Sequence, residues 1–131
     1  MFTNGTYTLQ NIFTEIVGLI DEDYESGNFS QYTWIQGQFP WSIDSIQIYE
    51  GIYSSRSAIG LPDNEESELS VTLDVIAPGD ITFYKFVSSE QDYDELKFKI
   101  NGNKVGEWSG IDVSWSLASF PVNVGQNTFK W

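Results

Sequence analysis

The chain has 131 residues, of which 40% are apolar and 16% aromatic, and it carries a net charge of −13. A chain of this length forms one domain, and its aromatic content is too high for a disordered acidic chain. Lys and Arg total only six and form no cluster along the sequence, which disfavours nucleic acid and membrane surfaces as partners. Because His and Cys are both absent, disulfides, thiolate metal sites and Ser-His-Asp or Cys-His catalysis are excluded.

The N-terminal segment gives the weakest structural signal in the chain. Apolar side chains at residues 12–20 fit one face of a helix, but Gly18 and the β-branched residues lower helix propensity. A short helix and an extended leader both remain open. We interpret residues 1–21 as a leader or linker, helical or strand-donating, and expect any export signal to lie outside this chain, since the start has no basic and apolar signal regions.

From Glu22 onward the sequence predicts strands. Residues 34–51 indicate one irregular strand or two short ones. Apolar and polar residues alternate strictly over residues 69–75, which is typical of a half-buried antiparallel strand, and the Pro78-Gly79 turn ends it. The next strand, residues 81–89, is largely apolar on both faces except for Lys85.

The C-terminal part of the chain repeats the strand and turn pattern. Residues 96–100 alternate, Asn101-Gly102 is the strongest hairpin signal because both residues tolerate positive φ, and residues 104–108 return as the paired strand. Two further strands follow within residues 114–131. About seven to nine short strands with frequent turns predict an all-β fold, an antiparallel β-sandwich of jelly-roll type.

The order of several motifs resembles a known kind of module. DYESGNF, YEGIYSSRSA, LSVTLDVIAPGDITFY, VSSEQDYDELKFKINGNKVGEWSG and FPVNVGQNTFKW follow one another as in the jelly-roll modules of bacterial secreted and surface proteins, similar to MAM-like, cleaved-adhesin and carbohydrate-binding-module domains. The resemblance covers about residues 22–131 and implies a noncatalytic module, secreted or at the cell surface. Such modules continue past FKW with another strand, so this one lacks its last strand unless residues 1–21 or a neighbouring chain supplies it.

The resemblance also implies a structural calcium ion. Matched residue by residue, its acidic ligand corresponds to Asp23 or Glu25, and its backbone oxygen to Glu50 or Gly51. Independently, the closely spaced carboxylates of residues 21–25 repel one another until a cation neutralises them, although the same run also suits a solvated loop. Residues 62–67 form a weaker rival site, because their spacing does not match a calcium-binding EF-hand loop.

Aromatic side chains are the second kind of candidate site residue. Rings stack on the apolar faces of sugars, and Tyr and Trp add a polar group. The predicted ligand-binding residues lie beside turns or on uncertain strand faces: Trp34, Trp41, Tyr49, Tyr53, Tyr84 and Tyr93. Trp108, Trp115 and Trp131 fall within the strand pattern and are assigned to the core, although a cluster of exposed rings would indicate binding instead.

Three functions are compatible with these patterns. The first is a noncatalytic carbohydrate-binding or adhesion module, stabilised by calcium, that binds a polysaccharide or other glycan. The second is a structural spacer that contacts neighbouring domains or self-associates through sheet edges and has no sugar ligand. The third and weakest is a small glycosidase or lyase with a carboxylate pair, because 19 acidic residues on a solvated surface make any one pair uninformative.

Overall fold

The computed structural model describes residues 6–58, 66–88, 95–112 and 114–131. These residues form two antiparallel five-stranded sheets and no helix, which confirms the predicted all-β sandwich. The strands are β1 (Thr6–Gln10), β2 (Ile35–Gln36), β3 (Ser42–Asp44), β4 (Ser54–Arg56), β5 (Leu69–Val75), β6 (Gly79–Ser88), β7 (Leu96–Ile100), β8 (Asn103–Trp108), β9 (Ser116–Val122) and β10 (Gly125–Lys130). The count is ten strands, against the predicted seven to nine. The difference lies in short strands that the sequence pattern does not resolve, since β2, β3 and β4 each contain only two or three residues.

The ten strands divide equally between the sheets. The first sheet has the order β3-β4-β1-β6-β9, and the second has the order β2-β5-β10-β7-β8. The buried side chains of both sheets form one hydrophobic core that includes Leu9, Phe83, Phe98 and Phe129. Each sheet therefore has an inner face on this core and an outer face.

The N-terminal segment belongs to the first sheet. Strand β1 pairs with β4 on one side, where Leu9 faces Ser55, and with β6 on the other, where Leu9 faces Lys85. Residues 12–20 form bends and turns instead of the helix considered above, and an isolated bridge joins Ile12 to Glu22. Residues 6–10 are thus a central strand of this sheet.

The clearest local sequence signals match the observed elements. In β5, Leu69, Val71 and Val75 are buried while Thr72 is exposed. The β7–β8 hairpin turns at Asn101 and Gly102 with φ of 53° and 84°, the positive values that a type I′ turn requires. Both features depend on residues adjacent in the sequence, so the amino-acid sequence alone predicts them.

Strand β6 directs a lysine toward the sandwich interior. Lys85 has the same parity as Phe83 and Val87, and only 7% of it is exposed. Its Nζ donates a hydrogen bond to Ser116 Oγ at 2.9 Å and lies 4.8 Å from the centroid of the Trp108 ring. Burial lowers the pKa of Lys85, against the opposing effect of Asp112. Since Lys85 points inward, the residues on either side of it, Tyr84 and Phe86, point outward.

Among the described residues, no helix is long and apolar enough to cross a lipid bilayer.

Candidate functional site

Four aromatic side chains meet on the outer face of the first sheet. The Tyr49 and Tyr84 rings stack with centroids 3.9 Å apart and an interplanar angle of 15°. The Trp115 ring lies 6.1 Å from Tyr49 and 5.8 Å from Phe86, measured between centroids. We call Tyr49, Tyr84, Phe86 and Trp115 the aromatic platform. Tyr49 is 42% exposed, and the other three rings are partly exposed.

The sheet and the preceding loop position the two stacked rings. Tyr84 lies on β6 between Gln10 of β1 and Leu117 of β9. Tyr49 comes from the loop at residues 45–53, which folds over the same face. Gln10 holds this loop: its Oε1 accepts hydrogen bonds from the amides of Tyr49 at 2.8 Å and Glu50 at 3.2 Å, and its Nε2 donates to the Glu50 carbonyl.

Glu25 holds the other end of the same loop. Its carboxylate accepts hydrogen bonds from the amide of Ile52 at 2.9 Å and of Tyr53 at 2.8 Å. Gly51 has a φ of 70°, and a Cβ there would lie 2.6 Å from Glu25 Oε1, so the carboxylate requires a glycine at this position. The loop that carries Tyr49 is therefore fixed at both ends by buried or charged acceptors.

The platform has apolar and polar neighbours on the same face. Leu117 is more than half exposed beside Tyr84. Arg56 faces Thr8, which in turn faces Phe86, so the guanidinium-bearing side chain lies on this face two strands away. The hydrogen bond with Tyr84 is the largest cause that raises the pKa of Tyr49, and desolvation adds to it. A tyrosine hydroxyl can donate and accept hydrogen bonds.

The structure brings together two of the six predicted ligand-binding residues, Tyr49 and Tyr84. Trp41 is only 3% exposed and donates its Nε1 hydrogen to the Ser67 carbonyl, so its ring has no face open to a ligand. Tyr53 is half-buried and packs against the core. Tyr93 lies outside the described residues.

Trp34 belongs to a separate aromatic cluster at one end of the sandwich. Its ring contacts Phe13, Tyr24, Tyr32 and Trp131. Its Nε1 donates to the buried Glu22 carboxylate at 3.0 Å, which also accepts the Tyr24 amide at 3.0 Å. Burial raises the pKa of Glu22, while these two hydrogen bonds lower it. This carboxylate is enclosed by protein and serves to fix Trp34.

Trp115 is the residue that the strand pattern assigned wrongly. Trp131 is in the core and Trp108 packs against it, as predicted, but Trp115 lies on the outer face next to Phe86, with the two rings tilted by 54°. It precedes the first residue of β9, where alternation no longer specifies a direction. The strand pattern of β6 held a clue to this position. Lys85 alternates with the apolar Phe83 and Val87, so it faces inward and Phe86 faces outward, where Trp115 contacts it.

The predicted calcium ligands accept hydrogen bonds from N–H groups in this structure. The Glu25 carboxylate faces backbone N–H groups, and Asp23 Oδ1 accepts the Glu25 amide at 3.0 Å. The Glu50 carboxylate accepts from Asn11 Nδ2, and the Glu50 carbonyl accepts from Gln10. N–H donors stabilise an anion and repel a cation. Within the described part of the chain no three acidic groups converge as metal ligands, and residues 62–65 of the rival site lie outside it.

A substitution at Glu25 tests whether its carboxylate holds the loop amides or binds calcium. We expect Glu25→Gln to lower the free energy of unfolding by about 1 kcal/mol, because one of the two carboxylate oxygens that accept from the Ile52 and Tyr53 amides becomes an NH2 donor. Thermal melts in millimolar calcium and in EDTA should show the same decrease. Asp23→Asn is the control, since its amide oxygen still accepts the Glu25 amide. A decrease seen only with calcium would instead make Glu25 a calcium ligand.

Comparisons with models of known protein families, with characterised proteins and with solved structures find no match to this chain.

Proposed function

We propose that this chain is a noncatalytic carbohydrate-binding module that holds a sugar chain against the aromatic platform. The observation that carries the proposal is the stacked Tyr49–Tyr84 pair with Trp115 beside it on an outer sheet face. Aromatic faces cover the apolar faces of sugar rings, and tyrosine hydroxyls bond to sugar hydroxyls. These four rings lie outside the hydrophobic core.

The rigidity of the site supports binding. Tyr84 and Phe86 lie on a strand that is paired on both sides, and Gln10 and Glu25 hold the loop that carries Tyr49. Side chains that are already ordered lose little conformational entropy when a ligand binds. The platform therefore needs little rearrangement to contact a flat ligand.

The composition of the platform supports a noncatalytic role. Phe86 and Trp115 do not titrate, and the hydrogen bond with Tyr84 raises the pKa of Tyr49 above its usual value. Acid–base catalysis near neutral pH requires a group that changes protonation there. The structural calcium ion that the resemblance implies stays a prediction.

We propose the jelly-roll description for the same chain on the basis of strand order. From β4 onward, successive strands alternate between the two sheets, except for the β7–β8 hairpin. Strand β1 lies between β4 and β6, the position of the last strand of a jelly roll. The N-terminus would then supply the strand that the resemblance implies is missing.

The secreted or cell-surface setting rests on the resemblance alone and stays a prediction.

A glycan screen followed by titration tests the proposed function. We expect the folded protein to bind a neutral polysaccharide, and Trp115→Ala or Tyr84→Ala to weaken binding by about tenfold or more through loss of a stacking surface. Ile46→Ala is the matched control, because Ile46 is exposed in the same loop as Tyr49 and is not one of the platform residues. Circular dichroism should show that all variants stay folded.

Two results would contradict the proposal. One is no binding to any glycan by folded wild-type protein, which would favour the structural spacer that contacts neighbouring domains or other copies of itself. The other is binding that survives both platform substitutions, which would place the sugar elsewhere on the molecule.

A further inference from the structure

The outer face of the second sheet gathers most of the positive charge of this acidic chain. Four of its six basic side chains lie there: Lys97, Lys99, Lys104 and Lys130. They are spread over more than thirty sequence positions, so no cluster is visible in the sequence. Strand pairing places Lys99 directly opposite Lys104 on one side and opposite Lys130 on the other. The result is a row of three lysines across three neighbouring strands.

The central lysine of this row has no ion pair with the residues that the structure describes. Lys104 Nζ lies 3.0 Å from Glu107 Oε1, and Lys130 Nζ lies 2.8 Å from Glu68 Oε2. Lys99, between them, has no carboxylate within 4.0 Å in the same part of the molecule. Like charges on directly opposed residues destabilise a sheet. The pKa of Glu68 is lowered first by its hydrogen bond with Lys130 and also by the charge of Lys99, so Lys99 lies near this ion pair without a carboxylate of its own among the described residues. An anion bound at Lys99 would give it a direct partner.

A cleft opens at the same place. Its volume is about 490 Å³, and its lining consists of Lys99, Asn101, Gly102, Thr128 and Lys130. Asn101 is fixed, since its Oδ1 accepts the Thr128 amide at 2.8 Å and its Nδ2 donates to Asn127 at 3.0 Å. A Cβ at Gly102 would meet no atom within 4 Å, so this side of the cleft is open.

We infer that this cleft, formed by Lys99, Lys130 and Thr128 beside the Asn101-Gly102 turn, is a second ligand site that binds the carboxylate of an acidic saccharide. Lys99 and Lys130 supply ammonium groups to the carboxylate. The Thr128 hydroxyl, 2.8 Å from that of Thr72, supplies a hydrogen-bonding group to sugar hydroxyls. The site does not depend on the aromatic platform, which lies on the other sheet.

The lining favours a sugar over a protein segment or a nucleic acid. The cleft offers an apolar peptide side chain only the aliphatic parts of Lys99, Lys130 and Thr128, because no apolar residue lines it. The net charge of −13 repels a long polyanion such as nucleic acid more strongly than a short saccharide with few carboxylates. A short saccharide with a carboxylate and many hydroxyls matches both the local positive charge and the polar lining.

Calorimetric titration with short oligomers of galacturonic acid tests the inference, with galactose oligomers of the same length as neutral probes. At low ionic strength we expect Lys99→Gln to weaken binding of the acidic oligomer by about tenfold, because a bound charge loses its nearest partner. Lys97→Gln is the matched control: it removes the same charge from the same strand but does not line the cleft. It should weaken binding by less than about threefold.

Three outcomes would overturn the inference. Failure of folded wild-type protein to bind the acidic oligomer would do so directly. Equal weakening by Lys97→Gln and Lys99→Gln would show general charge attraction without a site. Loss of binding in Trp115→Ala but not in Lys99→Gln would place the acidic sugar on the aromatic platform, and the proposed function would stand while this second site would not.

Discussion

Removing residues 1–10 should abolish cooperative unfolding of this protein. Strand β1 lies between β4 and β6, so its loss leaves two strand edges unpaired in the middle of the first sheet. It also removes Leu9, which is fully buried, and Gln10, which holds the loop carrying Tyr49. Leu9 alone accounts for about 2–5 kcal/mol, and the whole loss is comparable with the about 5–15 kcal/mol by which small domains are stable.

Urea unfolding followed by circular dichroism measures this effect. Leu9→Ala is the control, because it keeps the backbone of β1 and should lower stability by about 2–5 kcal/mol while leaving one cooperative transition. A synthetic peptide of residues 1–12 should restore structure to the truncated protein, since a strand can be donated by a separate chain. If the truncated protein unfolds at the same urea concentration as the full chain, residues 1–10 are a leader and β1 has no structural role.

Phe83→Ala and Phe86→Ala should have opposite consequences for stability and binding. Phe83 is fully buried, and its ring lies 4.8 Å from Phe98 and 5.4 Å from Trp131 between centroids. We expect its truncation to lower the free energy of unfolding by about 3–5 kcal/mol. Phe86, three residues along the same strand, lies on the outer face beside Trp115, so its truncation should cost about 1 kcal/mol and weaken glycan binding.

Urea unfolding of the two variants, combined with glycan titration of each, checks this pair. Both substitutions remove the same atoms from the same strand, so each variant is the control for the other. A larger loss of stability in Phe86→Ala would mean that the opposite face of β6 is buried. In that case the aromatic platform would belong to the core and could not bind a sugar.

The sequence alone determined the fold class and several elements. Strict alternation in Leu69–Val75, and Asn101-Gly102 between two short apolar runs, predicted a strand and a hairpin that the structure contains. These features are local, because side-chain direction alternates with period two and the I′ turn depends on two adjacent residues. Local signals of this kind were enough to identify an all-β sandwich.

The sequence left the first strand undetermined. Thr6–Gln10 is only five residues long, and its pairing partners are more than forty positions away in β4 and more than seventy away in β6. No local pattern specifies such distant pairing, so a helix, a leader and a strand all remained open. The space between β4 and β6, which exists only in the folded protein, decides among them.

The candidate sites likewise depend on contacts between distant residues. Tyr49 stacks on Tyr84 because Gln10 and Glu25 hold the loop that carries Tyr49. Trp115 lies on the outer face, where it contacts the outward-facing Phe86. Lys99 and Lys130 become neighbours only when β7 pairs with β10. Periodicity in the sequence identified the longer strands from β5 onward. Strand pairing and packing in the tertiary structure decided which faces are exposed and which side chains meet there, because those depend on contacts between residues far apart in the chain.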